Sequence, residues 1–355
     1  MKFPAQAQPV RSNPVGVGDV IDTPPTTRTA ALAIAASCVL MLCLLAVPAA
    51  LGRATTVRAH AASTYITGIS DQQTELFSNP LFAQLHTKIV RYAAPYDAAV
   101  HGDELAEARQ WISDAEADHQ QVLIAFYHSN HTPTVMPSVA AYQSDVAKFI
   151  KDFPRVHQYE TWDESNRGNV KHQFSSPSAT TVAKYYQALR RVCHGCTIVG
   201  LDVLDAQVIT PTLRYIQEFK REVLRLRTVM PSIWGLHNYS DINRLQSWRT
   251  SELVKALGGQ VWLTETGGLV RFPPDFLNVR GSGIARAAKV LKFMFKVAGE
   301  HSRIKRLYIY DWTGGTASTT FDAGLVNAKG EPRPGYVVVC KQLHAAHCSV
   351  KTVED

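Results

Sequence analysis

From residue 63 to the C-terminus, short apolar runs alternate with amphipathic stretches of helical period, eight times over. The apolar runs fall at 65–70, 88–92, 121–127, 156–162, 197–203, 232–237, 260–264 and 306–310. The clearest helical stretches between them are 103–118, 138–153, 178–191, 210–226 and 283–300, several opened by a capping serine (Ser138, Ser178, Ser282). Regular β-α alternation implies parallel strands. Eight such units after position 61 suit an α/β fold of the (β/α)8 TIM-barrel type, which typically needs about 250 residues. An open doubly wound sheet is the competing architecture. It usually carries a glycine-rich phosphate turn after its first strand, and neither GxGxxG nor GxxxxGK[ST] occurs here.

The first 61 residues read as an address rather than as fold. Residues 30–47 carry no charge, Arg28 precedes them, Pro48 follows, and Ala59-His60-Ala61 offers a small-residue cleavage site. A cleaved signal is expected, with a membrane tether through 30–47 as the alternative, since 18 residues is at the short end for spanning a bilayer. Residues 62–355 then form one catalytic domain, secreted or anchored outside the cytoplasm and monomeric. Charge gives no argument for nucleic acid. Lys2, Arg11, Arg28, Arg53 and Arg58 against Asp19 and Asp22 leave +3 in the first 61 residues, and so only +4 of the formal +7 in the rest. Cys38 and Cys43 belong to the signal; Cys193/Cys196 and Cys340/Cys348 are local pairs, expected as disulfides in an oxidising compartment.

A barrel of this kind keeps its chemistry at the C-terminal ends of its strands. Alternation places Ile89 with Arg91 on strand two, and Val122, Ile124, Phe126 and His128 together on strand three. It pairs Trp162 with Glu164, aligns Ile233, Gly235, His237 and Tyr239, and groups Val261, Leu263 and Glu265. Strand eight contributes Tyr308, Tyr310 and Trp312. Each residue alone has an ordinary structural explanation. Six strands delivering Arg, His, Glu, His/Tyr, Glu and Trp to one mouth do not.

That order resembles the retaining glycoside hydrolases of clan A, whose (β/α)8 members include families 5 and 39. Residues 160–166, Glu160-Thr161-Trp162-Asp163-Glu164-Ser165-Asn166, resemble the family's E-x-W-N-E-P-N. His237-Asn238-Tyr239 matches its His-x-Tyr, and Trp262-Leu263-Thr264-Glu265-Thr266-Gly267 its nucleophile segment. The resemblance implies a carbohydrate substrate, poly- or oligosaccharide, with Glu265 as nucleophile and Glu164 as acid/base. It also implies that Arg91 and Tyr239 hydrogen-bond Glu265, that His128 and His237 contact hydroxyls or orient the carboxylates, and that Trp312 floors the sugar site. Glu164 should then have a raised pKa, from the like charge of Glu265.

Asp163 stands where the family has Asn. An ionised Asp only accepts hydrogen bonds, so its sugar contact changes, and its charge should push Glu164 further up. An inactive carbohydrate-binding barrel is the alternative that Asp163 favours. His128-Ser129-Asn130-His131 has H-x-x-H spacing, but catalytic zinc takes three protein ligands and no third is evident. No metal or cofactor is therefore expected. Phe272, Phe276 and Phe321 lie in the long loops after strands seven and eight, as walls for further sugar subsites.

Overall fold

In a computed structural model, eight parallel strands close into one barrel in sequence order. The structure describes residues 64–169, 173–272, 276, 281, 283–316, 318–346 and 348–353. The expected signal or tether, with Cys38 and Cys43, and the cap Ser282 lie outside the described residues. Among the described residues no helix is long and apolar enough to cross a membrane.

Strand β1 (Ile66–Ser70) leads through short helices α1 (Glu75–Ser78) and α2 (Pro80–Leu85) to β2 (Ile89–Pro95). There follow α3 (Gly102–Ala117), β3 (Gln121–Tyr127), α4 (Val139–Asp152), β4 (Gln158–Glu160), α5 (Ala179–Val192) and β5 (Thr197–Leu204). The second half runs α6 (Thr210–Arg225), β6 (Ile233–His237), α7 (Tyr239–Ile242), α8 (Trp248–Leu257), β7 (Gln260–Thr266), α9 (Ile284–Glu300), β8 (Ile304–Tyr310) and α10 (Pro334–Gln342). Five residue pairs from Ile66↔Arg306 to Ser70↔Tyr310 close the cylinder. Two of the capping serines act as their positions suggest. Ser138 accepts from the Ala141 N–H and Ser178 from the Thr181 N–H, each worth ~1 kcal/mol. Cys193 is bonded to Cys196 between α5 and β5, and Cys340 of α10 to Cys348.

The inward and outward faces are assigned differently from simple alternation on several strands. Ile89, Leu123, Val199, Trp262 and Tyr308 form a small cluster of their own inside the cylinder, while Val122, Ile124, Phe126, Val261 and Leu263 join the large core under the helices. The outward face meets the helices and carries most of the apolar area, so the richest apolar parity points out, not in.

Two register slips then change what reaches the mouth. Gly235 of β6 pairs with Trp262 and His237 with Glu265, so two residues on β6 face three on β7. Val199 and Asp202 on β5 likewise span Ile233 and Gly235 on β6. An extra residue in a strand re-aims the side chains beyond it. Asp202 and Glu265 thereby turn to the interior along with Val199 and Trp262. The close approach requires Gly235, where a Cβ would lie 2.3 Å from Asp202 Oδ1.

Candidate active site

Arg91 is the centre of one half of the mouth. Its side chain is wholly buried, so its charge needs partners on every side. Nη1 donates to Glu265 Oε1 at 2.6 Å and to Ser70 Oγ at 3.2 Å. Nη2 donates to Asp163 Oδ1 at 2.5 Å and to Glu160 Oε1 at 3.1 Å. One guanidinium is thus divided among three carboxyls. Burial pushes Glu265 up to about 7, against the pull of His237 and Arg91. Glu160, deeper still, is pushed up to about 8 by burial despite Arg91. The Tyr239 hydroxyl donates to Glu265 Oε2 at 3.3 Å. Tyr239 is held there because Asp205 accepts the Ser240 and Asp241 N–H groups at 2.7 and 2.8 Å and fixes the start of α7.

Glu164 stands opposite, on the turn after β4. Its φ of 43° is left-handed, a conformation costing a non-glycine residue about 1–3 kcal/mol and typical of functional turns. That turn separates it from Trp162, expected on the same face, whose ring instead packs beside Tyr185 at 5.5 Å. The Glu164 N–H donates to Asp202 Oδ2 at 3.0 Å, which anchors the turn to β5. Asp202 also accepts from Thr264 Oγ1 at 2.6 Å. Arg167, three residues on, donates to Glu164 Oε2 at 2.7 Å. Burial alone would raise Glu164, but Arg167 and His237 overcome it and hold the carboxyl down at about 2. The structure therefore reverses the expected order of the two glutamates. Asp163 pairs with Arg91, and the interactions that set Glu164 are those with Arg167 and His237.

His237 joins the halves. Its Nδ1 lies 3.1 Å from Glu164 Oε1 and 3.6 Å from Glu265 Oε2. Nε2 is 3.2 Å from Asp202 Oδ2, an ion-pair contact outside aligned hydrogen-bond geometry. Burial opposes its charge, yet Asp202 and Glu265 raise its pKa well above the ordinary histidine value. One oxygen of Glu164, one of Glu265 and a His237 nitrogen all lie within 4.8 Å of one another. Both glutamates keep a sliver of exposure, 9% and 8%, so a substrate can reach them.

Of the remaining expected residues, His128 is at the rim, half-buried, stacked on Phe174 at 5.4 Å, with Arg167 over the same Phe174 ring at 5.1 Å. Burial lowers its pKa. Trp312 is not a floor for this mouth. Its ring is 1% exposed and packs edge-on against Phe82 of α2 and Tyr336 of α10, in the layer outside the barrel. Tyr310, the last residue of β8, turns toward the mouth instead. It belongs with Tyr239, Leu269, Phe272, Phe276 and Phe321 to an apolar group at the mouth. Burial, Asp311 and Glu265 raise its hydroxyl's pKa well above the ordinary tyrosine value. Arg167, Asp202 and Tyr310 were not singled out by sequence as site residues. Arg167 and Tyr310 lie within three residues of expected ones, whereas Asp202 needed the β5 slip to be seen.

No family model and no curated protein matches the chain. Solved structures do, at the level of the fold. GH5_18 from Streptomyces cattleya, in complex with GlcNAc, superposes with a TM-score of 0.57 at 12% identity over 80% of each chain. A family 39 glycoside hydrolase from Bacteroides cellulosilyticus WH2 gives 0.53 at 16% identity, covering 79% of this chain and 63% of its own. GH10 from Paenibacillus barcinonensis gives 0.57 at 12% identity, covering 80% and 96%. The (β/α)8 fold is thus shared with glycoside hydrolases of families 5, 39 and 10.

Proposed function

We propose that the chain is an exported retaining glycoside hydrolase that cleaves O-glycosidic bonds of a polysaccharide or glycoconjugate by double displacement. The observation that carries the reading is the pair Glu164 and Glu265, presented from β4 and β7 with oxygens within 4.8 Å. Retaining enzymes hold their two carboxyls about 5–5.5 Å apart, whereas inverting ones leave about 6.5–9.5 Å for a water. A nucleophile and an acid/base fit the shorter spacing. Export is supported by the apolar segment at 30–47 and by the two disulfides.

In the first step the Glu265 carboxylate attacks the anomeric carbon as Glu164 gives its proton to the departing oxygen. The alcohol leaves and a glycosyl ester remains on Glu265. In the second, Glu164 takes a proton from water, the hydroxide attacks the same carbon, and Glu265 departs as carboxylate. Two inversions retain the configuration. Arg91 and Tyr239 stabilise the Glu265 carboxylate as it forms and leaves. Tyr310 and the phenylalanines beside it supply the apolar wall for a sugar face.

With one carboxyl near 2 and its neighbour near 7, the coupled pair holds a single proton between those values. Turnover needs that proton on Glu164, and Arg167 biases it toward Glu265. The ion pair with Arg167 is also the observation that favours a carbohydrate-binding barrel without turnover. A hydrolysis screen on a polysaccharide panel, with product configuration followed by NMR, tests the proposal. Release of sugar with retained configuration is the expected result. Saturable glycan binding with no product across the panel would support the binding barrel and overturn the enzyme.

A further inference from the structure

We propose that a second site beside the mouth, built from His101, Glu104 and His131, binds one divalent transition metal ion of the zinc class. His101 is the residue before α3, Glu104 lies in its first turn, and His131 comes from the loop after β3. One nitrogen of each imidazole and one Glu104 oxygen lie within 4.8 Å of one another. His131 Nε2 is 3.7 Å from Glu104 Oε1, and the two rings stack 3.8 Å apart. Zinc takes such nitrogens at about 2.0–2.1 Å and carboxylate oxygens at about 2.0–2.2 Å, which sets tetrahedral donor spacings of roughly 3.3 Å. Closing the set therefore asks the His131 ring to turn out of the stack, because two nearly parallel imidazoles cannot aim their in-plane lone pairs at one ion. His131 can make that turn, since its side chain is 46% exposed while its backbone is held by Ser129 Oγ, which accepts the His131 and Thr132 N–H groups.

A separate observation is that two carboxylate oxygens here are buried without a donor, although the histidines pair with the other oxygens. Asp97 accepts from His101 Nε2 at 3.2 Å through Oδ2, but Asp97 Oδ1 is buried with no donor. Glu104 Oε2 is buried without an aligned donor as well, although Asn130 hydrogen-bonds this carboxyl and lowers its pKa against burial. Both side chains are only 8% exposed. A buried carboxylate oxygen without a donor is costly, and an ion held by Glu104 relieves that cost at the cluster. Two imidazoles in the set select zinc-class ions over calcium, which takes oxygen ligands. Asp97 then orients His101 by holding its Nε2 through Oδ2. The exposed side of His131 leaves room for a water as a further ligand. The ion would tie the segment after β2 to the segment after β3, which carries His128 at the sugar rim.

The H-x-x-H spacing pointed to His131, but its partners are His101 and Glu104 rather than His128. The test reads metal and not turnover, so it stands whether or not the chain is a glycosidase. The full chain, stripped with chelator, is titrated with Zn²⁺ and with Co²⁺ as a spectroscopic probe, and bound metal is counted after dialysis. The expected result is one ion per chain, with a Co²⁺ visible spectrum and a rise in Tm on metal addition. His131→Ala, at a half-exposed position, should lose that equivalent and the Tm rise while remaining folded by circular dichroism. Asp97→Asn should weaken binding about 10–100-fold. No uptake at micromolar metal, preference for Ca²⁺, or full uptake by His131→Ala would overturn the site. Loss of the ion in Glu164→Gln, with retention in His131→Ala, would move it to the Glu164–His237–Glu265 cluster and equally overturn it.

Discussion

The two halves of the mouth solve the same problem with opposite economies of charge. Around Glu265 a single guanidinium, fully buried, serves Glu265, Asp163 and Glu160 at once. On the β4 side Arg167, whose side chain is 35% exposed, serves Glu164 alone. A shared cation stabilises each carboxylate less, so desolvation wins at Glu265 and loses at Glu164. Residue type and burial are nearly equal in the two glutamates. Their acidities follow from how many carboxylates crowd each arginine, with His237 pulling both down.

Removing the glutamates breaks the comparison hardest. Glu265→Ala should abolish turnover on every substrate, by on the order of 10⁴–10⁶-fold, because no other group can form the glycosyl ester. Azide should restore part of the rate and give a product of inverted configuration, which NMR reads directly. Retained product from that variant would move the nucleophile elsewhere. Glu164→Ala should lose about 10²–10⁴-fold on substrates with poor leaving groups and far less on activated aryl glycosides, which need little protonation to depart. Equal losses on both substrate types would remove the acid/base role.

Neutralising the charges around the pair sharpens the comparison, with effects on the order of one pH unit. Arg167→Gln removes the main cation holding Glu164 down. The acid limb of the kcat/KM profile should move up in pH, and the rate between pH 5 and 6 should rise as the proton shifts toward Glu164. Asp163→Asn acts on the other half: Asp163 raises Glu265, so the alkaline limb near pH 7 should move down. Shifts of the same limb in both variants would show that the halves titrate as one unspecific cluster rather than as described.

The barrel was legible because its period is written along the whole chain, and the eight strands appear close to where alternation put them. The mouth was legible in composition: Arg91, Asp163, Glu164, His237, Tyr239 and Glu265 do converge. What alternation could not give was the facing of side chains on β3 and β7, because a strand covered by helices outside and by neighbours inside carries apolar residues on both parities. It could not give the slips that turn Asp202 and Glu265 inward, which depend on pairing with the next strand. Trp312 failed for a similar reason. Two residues past Tyr310 the chain has left the ladder, and its ring finds Phe82 and Tyr336 rather than the mouth. The acidity of Glu164 was missed because Arg167 is separated from it by one turn whose hand only the backbone shows.

The smallest expected effect lies in stability, and it separates the deep end of the site from the rim. Glu160 and Asp205 are wholly buried and pushed up to about 8 by desolvation, from ordinary values of 4.5 and 3.8. In the unfolded chain both ionise first, so their contribution to folding is whole below about pH 4 and is lost as pH rises through about 8. His237, raised by Asp202 and Glu265, pulls the same way, since its folded form keeps a proton that the unfolded form releases above its ordinary value. Glu164 has the opposite sign, but its loss falls near pH 2, outside this window. Tm should therefore decline between pH 5 and pH 8, by on the order of 5 °C. Glu160→Gln keeps the shape and cannot ionise, so scanning calorimetry should show a shallower decline in that variant, with little change in slope for Arg167→Gln at the rim. A wild-type Tm that stays level or climbs over this range would mean that Glu160 is ionised in the fold, and that Arg91 satisfies all three of its carboxylates after all.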